Sequence, residues 1–325
     1  MALLLAVSLL PFAVSCLGTW ALIGLLRRRA VLDLPNERSS HVAPTPRGGG
    51  IAVIGAIALA WLTLRLAEVP SCSFRVIAAM LALAAVSWTD DLRGLSAGWR
   101  LAAQVAAVAV GMSALPQGLI FQGWLPPTLD VTAAALLWVW FINLFNFMDG
   151  IDGIAASEAA AIGIGLFLVS NPNDAVLALP IVAAAAGFLL WNWSPARIFL
   201  GDVGSVPLGY ILGFLLYKLA LQWRWQAALI LPLYFFADAT ITLLRRLLRG
   251  ERVWQAHREH FYQRAVQQGL SHAAVVWRVL AADVVLIACA VAAMPTFDWR
   301  KTSLVVAGIT VAGLLFELGR NRRPG

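Results

Sequence analysis

Asn143-Leu-Phe-Asn146-Phe-Met-Asp149-Gly-Ile-Asp152-Gly153 is the stretch on which the reading of this chain turns: it ends an apolar run at Phe147 and sets two amides and two carboxylates beside it. Ionisable groups next to long apolar segments are costly and mark functional sites. If the backbone is helical, the three-residue spacing of Asn143, Asn146, Asp149 and Asp152 carries their oxygens along one face, where they could converge on a hard cation. Gly150 and Gly153 argue against one long helix and permit close backbone approach to a ligand. The plainer alternative is a capped helix end with solvated acids.

Outward from this stretch, 61% of the residues are hydrophobic and 13% charged. With apolar runs of about 17–25 residues, that is the signature of an all-α, polytopic membrane bundle, and a water-soluble fold is excluded. Hydropathy and helix breakers place spans near 2–26, 50–67, 74–89, 99–115, 131–147, 154–170, 175–191, 205–221, 226–244, 273–293 and 302–318, about eleven in all. The connections are too short for folded domains. Residues 1–325 therefore read as a single integral membrane domain, with a cytoplasmic loop over 245–271 inside it.

Arg27, Arg28, Arg29, Arg38 and Arg47, then Arg93 and Arg100, Arg197, the arginines from Arg245 to Arg264, and Arg320, Arg322 and Arg323 all fall on one side of that pattern. The positive-inside rule makes that side cytoplasmic, with the N-terminus outside and the C-terminus inside. The net charge of +7 is then topological. It calls for no nucleic acid, although these arginines could meet anionic lipid headgroups or a polyanionic substrate. The first span lacks a basic leader and reads as a retained helix rather than a secretory signal. Cys16, Cys72 and Cys289 are too scattered for a disulfide framework or a zinc site. Trp99, Trp138, Trp191, Trp223 and Trp299 read as an interfacial belt.

The acids carry the functional signal. Asp90 and Asp91 close the third span, Asp149 and Asp152 follow the fifth, and Asp202 sits between glycines after the seventh, all on the same face. A transporter more often sets such groups near the bilayer midplane in broken helices. Acids gathered at the interface suit chemistry between a soluble charged substrate and a lipid headgroup. Each has a bland counterpart: Asp90-Asp91 as a solvated helix end beside Arg93 and Arg100, and Gly48 to Gly50 as a tight turn into the second span rather than a phosphate cradle. In the long loop, His257, His260 and Arg264 share a face if the segment is helical and could hold a diphosphate; a basic amphipathic helix lying on lipid is the alternative. Asp238 and Asp283 lie deeper and read as helix-to-helix hydrogen bonders.

Taken together, Asn36-Glu-Arg38-Ser-Ser-His41, Pro44-Thr-Pro-Arg-Gly-Gly-Gly50, Asp90-Asp91, Asn143 to Gly153, Gly201-Asp202-Val-Gly-Ser205 and His257-Arg-Glu-His260-Phe-Tyr-Gln-Arg264 resemble the polyprenyl-phosphate N-acetylhexosamine-1-phosphate transferases of bacterial membranes. The last motif is more similar to the branch that initiates O-antigen or related surface glycans than to the phospho-MurNAc-pentapeptide branch. The resemblance implies transfer of a sugar phosphate from a UDP-N-acetylhexosamine to undecaprenyl phosphate, with UMP released, at the cytoplasmic face of the inner membrane. It implies magnesium, with manganese as a substitute, held by Asn146 and Asp202. Asp149 and Asp152 support the metal or nucleotide, and Asp90 or Asp91 positions or deprotonates the lipid phosphate. Arg100, Asn143, His257, His260 and Arg264 fall to substrate binding. Membrane lipids are further partners, and a homodimer is compatible with the reading. A lipid-linked glycan transporter is the alternative outside enzymes.

Overall fold

The structure is a computed structural model that describes residues 2–35, 43–252, 257–294 and 299–320. The Asn36-to-His41 motif and Arg38, Arg322 and Arg323 lie outside these residues. Among the described residues the chain is helical apart from a short antiparallel pairing of β1 (Leu32–Asp33) with β2 (Thr45–Pro46). The helices are α1 (Ala2–Arg28), α2 (Gly50–Leu66), α3 (Phe74–Arg93), α4 (Ala97–Met112), α5 (Pro127–Phe147), α6 (Ile154–Val169), α7 (Pro172–Asn192), α8 (Asp202–Leu221), α9 (Trp225–Ile230), α10 (Leu233–Leu248), α11 (Phe261–Gln267), α12 (His272–Ala292) and α13 (Arg300–Gly319). Six of them, α1, α5, α7, α8, α12 and α13, are each long and apolar enough to cross a bilayer, and α2, α4 and α6 are shorter apolar helices. An all-helical, multi-pass membrane protein follows.

α8 is the axis of the bundle. Every residue from Val203 to Ala220 is buried, which requires a helix apolar on all sides, as its sequence is. α3 and α5 pack along it, and α2 reaches it near its start. The approach of α2 is set by glycine: a Cβ on Gly50 would lie 2.3 Å from the Gly204 Cα. No other residue pair lets these two helix starts touch, and that contact fixes the segment before α2 beside the acids of the site.

Two sequence expectations are corrected. The 226–244 span is not continuous, because Pro232 separates α9 from α10; proline has no N–H to donate and its ring clashes with the preceding turn. Trp138 is not interfacial. It is 1% exposed, stacks on Tyr210 with centroids 5.2 Å apart, and donates its indole N–H to the Tyr210 carbonyl at 3.0 Å. Trp99, Trp223 and Trp299 are exposed as expected.

Chain direction puts the C-terminal ends of α3, α5 and α7 and the start of α8 at one end of the bundle, called here the site end. The opposite, far end holds its own polar groups, among them Asp130, Asp174 and Lys218.

Candidate active site

The site is built on the start of α8. Its N-cap position is Gly201, which has no side chain to offer, so the capping is done from another helix. Asp91 in the last turn of α3 accepts the N–H of Asp202 at 3.2 Å on one oxygen and that of Val203 at 3.0 Å on the other, satisfying two of the free donors of a helix start. Arg47 Nη2 bridges the acids, 2.8 Å from Asp91 Oδ1 and 2.7 Å from Asp202 Oδ1. The segment carrying Arg47 is stitched to the chain before α8: Phe199 N–H donates to the Pro46 carbonyl, Gly48 and Gly49 to that of Phe199, and Gly50 to that of Leu200, at 2.8–3.1 Å. The glycine run is therefore a turn whose amides are already used, not a phosphate cradle. Gly48 has φ +122 and its Cβ would lie 2.6 Å from the Trp88 ring, so no other residue fits there.

Beside this lies a cleft of about 430 Å³. One part is polar, with Asp90, Arg100, Gln104, Asn143, Asn146 and Asp202; the rest is apolar, with Leu83, Val86, Leu101, Val139, Trp140 and Leu243 among its walls. Arg100 Nη1 is 3.2 Å from Asp90 Oδ2 and 4.0 Å from Asp202 Oδ2. The other Asp90 oxygen accepts the Leu95 N–H at 2.5 Å. Asn146 Oδ1 accepts from the Ser205 hydroxyl at 2.5 Å. Asn143 is more tied down: its amide donates to Gln104 Oε1 at 2.6 Å and to the Val139 carbonyl at 2.8 Å, joining α4 to α5.

The helical face expected for Asn143 to Asp152 holds only for the two asparagines. α5 stops at Phe147, and Asp149 and Asp152 sit in a turn that Gly153, at φ +78, leads into α6. Tyr262 and Gln263 of α11 press on that turn: a Cβ on Gly150 would lie 2.2 Å from the Tyr262 hydroxyl, which donates to the Phe147 carbonyl at 3.0 Å. Burial pushes the Asp149 carboxyl up to about 7, with Arg47 opposing and Asp202, Asp91 and Asp152 adding to the rise. Asp152 is held the other way. Burial would raise it, but the hydrogen bond and charge of His272 and the Ala196 N–H outweigh burial; the His272 Nδ1 lies 3.1 Å from its Oδ2, which also accepts the Ala196 N–H at 3.1 Å.

The shared face expected for His257, His260 and Arg264 is not formed. Buried Asp238 accepts the N–H groups of Phe261 at 3.0 Å and Tyr262 at 3.2 Å, and so starts α11 at Phe261, leaving His257 outside the helix. His260 is 2% exposed, with Nδ1 3.3 Å from Asp238 Oδ1. Its ring lies 4.8 Å from that of His257. Burial, then His260 and Arg246, bring His257 down to about 4, so it is neutral at pH 7 and offers hydrogen bonds rather than charge. Arg264 is not brought to the cleft. It lines a separate groove against α13. Asp238 thus joins α10 to α11, as expected of a deep acid, and Asp283 of α12 meets buried Glu158 of α6.

Among the described residues, no three His, Cys, Asp or Glu side chains already converge as metal ligands. The chemistry of the donors nevertheless suits a hard cation: Asp90, Asp91, Asp149 and Asp202 set four carboxylates against the two guanidiniums of Arg47 and Arg100, and amide oxygen from Asn146 adjoins them. Arg47, Gln104, Ser205, Tyr262 and His272 are the residues that sequence reasoning missed. Gln104 carried a signal, being a lone amide in an apolar helix. Arg47, Ser205 and Tyr262 lie in motifs of the resemblance, but their partners, like that of His272, are far along the chain, and no local pattern assigns them a role.

The cleft thus sets an acid-rich polar wall beside an apolar one at one end of a helical membrane bundle. Residues 73–220 match glycosyl transferase family 4. A Streptomyces coelicolor protein described as a glycosyltransferase is 31% identical over 93% of this chain and 74% of its own length. A decaprenyl-phosphate N-acetylglucosaminephosphotransferase of Mycobacterium leprae is 28% identical over 93% of this chain and 87% of its own. A phospho-N-acetylmuramoyl-pentapeptide-transferase of Thermosynechococcus vestitus is 28% identical over 72% and 68%. The chain belongs to glycosyl transferase family 4.

Proposed function

We propose that this protein transfers N-acetylhexosamine-1-phosphate from a UDP-N-acetylhexosamine to undecaprenyl phosphate, releases UMP, and so initiates a lipid-linked surface glycan such as O-antigen. The observation that carries the reading is the cleft: carboxylates and Arg100 at one part and an apolar wall beside them, so that a phosphate and a hydrocarbon chain fit together. An oxygen of the lipid phosphate attacks the sugar-bearing phosphorus of the donor; the bond to the uridine phosphate breaks, and that oxygen leaves with UMP. Two phosphates must approach, so positive charge must offset their repulsion. Arg100 supplies part of it. Asp202 and Asn146, with Asp149 in support, would hold a magnesium ion, which when bound supplies the remaining charge neutralisation. Asp90 orients the lipid phosphate or takes its proton. Asp91 and Asp152 act through position: one fixes the start of α8, the other ties the Asp149 turn to His272.

The membrane arrangement proposed with this is about eleven spans, α9 and α10 making one broken span, with an external N-terminus and the site at the cytoplasmic face of a bacterial inner membrane. His257 and His260 lie near the donor in this reading. The similarity to a pentapeptide transferase supports peptidoglycan synthesis as the second reading. A product assay with purified protein, undecaprenyl phosphate and a panel of UDP-sugars tests both. Release of UMP with UDP-N-acetylhexosamine is expected; release of UDP, or turnover with UDP-MurNAc-pentapeptide alone, overturns the first reading.

A further inference from the structure

Arg245 of α10, Arg264 of α11 and Arg320 after α13 line one groove of about 390 Å³ whose remaining walls are Ile241, Phe261, Ala312, Leu315, Phe316 and Gly319. It shares no residue with the cleft of the acids. The three guanidiniums are brought there by packing. α13 closes on α11 so tightly that a Cβ on Gly319 would lie 3.0 Å from the Phe261 ring, and Arg245 lies over the same ring at 4.8 Å. Their neighbours Arg246, Arg249 and Arg278 are each paired with a glutamate, Glu251, Glu259 or Glu317. Among the described residues no carboxylate pairs with Arg245, Arg264 or Arg320. Three cations around an apolar floor, with no carboxylate partner among the described residues, form a surface suited to an anion.

We infer that this groove binds an anionic phospholipid of the surrounding leaflet, with its phosphate among the three guanidiniums and an acyl chain along α13. The position fits: Arg245 is in the last turn of α10 and Arg320 follows the end of α13, the level at which headgroups lie if these helices reach the membrane surface. The path for the chain fits as well. Val305, Ile309 and Phe316 are 59%, 67% and 73% exposed, and with Ala312 they recur at three- to four-residue steps along α13, one apolar strip leading from the groove. A basic pocket between helices at the membrane surface is a headgroup site by its electrostatics. Because Phe261 and Arg264 belong to α11, whose Tyr262 and Gln263 press on the Asp149 turn, the bound lipid would brace the element that supports the site.

The test is native mass spectrometry of the delipidated full-length protein titrated with dioleoyl-phosphatidylglycerol, and with dioleoyl-phosphatidylcholine, which has the same tails and no net charge. Wild type should retain one phosphatidylglycerol more tightly than phosphatidylcholine. Affinity should fall about fivefold for Arg264→Gln and on the order of 100-fold for Arg245→Gln, Arg264→Gln and Arg320→Gln combined, with Lys301→Gln at the other end of α13 unchanged. If the triple variant does not fold, the single variant and the rise in wild-type Tm on adding phosphatidylglycerol decide the matter. Equal retention of the two lipids, equal retention by wild type and variants, or displacement of the lipid by UMP or inorganic phosphate would overturn the inference. None of these readouts depends on turnover, so failure here is distinct from failure of the proposed transfer reaction.

Discussion

At the far end of the bundle, Asp174 lies 2.5 Å from Lys218 and accepts from Gln222 at 2.7 Å, while Asp130 accepts the N–H groups of Ile120 and Phe121 at 2.9 and 2.8 Å. At the site end, among the described residues, Asp90, Asp91 and Asp202 pair with two cations, Arg47 and Arg100, and Asp149 lies in the field of the same Arg47. Both regions place acids beside apolar helices, so the presence of an acid does not separate them. The difference lies in balance and access. Far-end carboxylates are matched by a cation or by backbone donors in closed packing; at the site end Asp91 is matched in the same way, by Arg47 and two backbone donors, but Asp90 and Asp202 open on a cleft. Excess charge held against an opening is what a cation-dependent reaction needs and what a purely structural network avoids.

The largest effect should come from Asp202→Asn. The amide can keep the hydrogen bond from Arg47 but withdraws the charge proposed to hold magnesium, so UMP release should fall by at least about 100-fold. The helix start is capped by Asp91 rather than by Asp202, so yield and Tm should stay near wild type. Turnover close to normal at limiting magnesium would erase the functional half of the comparison.

Next in size is the division of labour between Asp90 and the His257–His260 loop. Asp90→Asn should cut transfer by about 10–100-fold while the labelled UDP-sugar still binds. His260→Ala should weaken donor binding several-fold, by about 1 kcal/mol, because it loosens the Asp238 junction that sets α11 against the Asp149 turn. Equilibrium donor binding to matched, folded preparations separates the two. Donor affinity lost in the aspartate variant and kept in the histidine variant would reverse the assignment.

The helices were legible because a bilayer demands long apolar runs, and the acids of the cleft because charge beside such runs is rare. Asp90, Asn146 and Asp202 line one cleft at one end of the bundle; Asp202, read as lying in the loop after the seventh span, is the first residue of α8. What could not be read was register between distant segments. Arg47 reaches Asp202 across 155 residues, placed there by the close approach of Gly50 to Gly204 and by the backbone hydrogen bonds between residues 46–50 and Phe199 and Leu200. The placing of Arg264 was hidden for the same kind of reason: its face depends on where α11 begins, and that is set by Asp238 in another helix.

Acidity should affect the two ends differently. Asp149 is raised to about 7, first by burial, from the ordinary carboxylate value of 3.8. The stability it contributes as a neutral group is present below the unfolded value and is lost as pH rises toward the folded one. In the absence of metal the protein should therefore lose stability between about pH 4 and pH 7 from this group, and transfer, with Asp149 supporting the metal in its charged form as proposed, should rise through neutral pH. Magnesium bound as proposed would stabilise the ionised cluster, so its effect on Tm should be larger at pH 8 than at pH 6. Arg47→Gln removes the charge that opposes the rise and should move the acidic limb of the rate profile upward. An equal magnesium shift at both pH values would detach Asp149 from the cation.

The smallest effect on chemistry is expected at the far end. Asp174→Ala leaves Lys218, 6% exposed, with a buried charge and no carboxylate partner, at a cost of about 3–5 kcal/mol in stability. Replacing both partners, Asp174→Leu with Lys218→Met, removes the charge and its counter-charge together and should restore Tm to within a few degrees of wild type. Rate per folded molecule should stay within about twofold in either variant, because the pair lines no part of the cleft and changes no group at the start of α8. A folded double variant with normal Tm and a rate reduced by about tenfold or more would show that balanced charge at the far end is coupled to the site, and the contrast between the two ends would then fail as a guide to function.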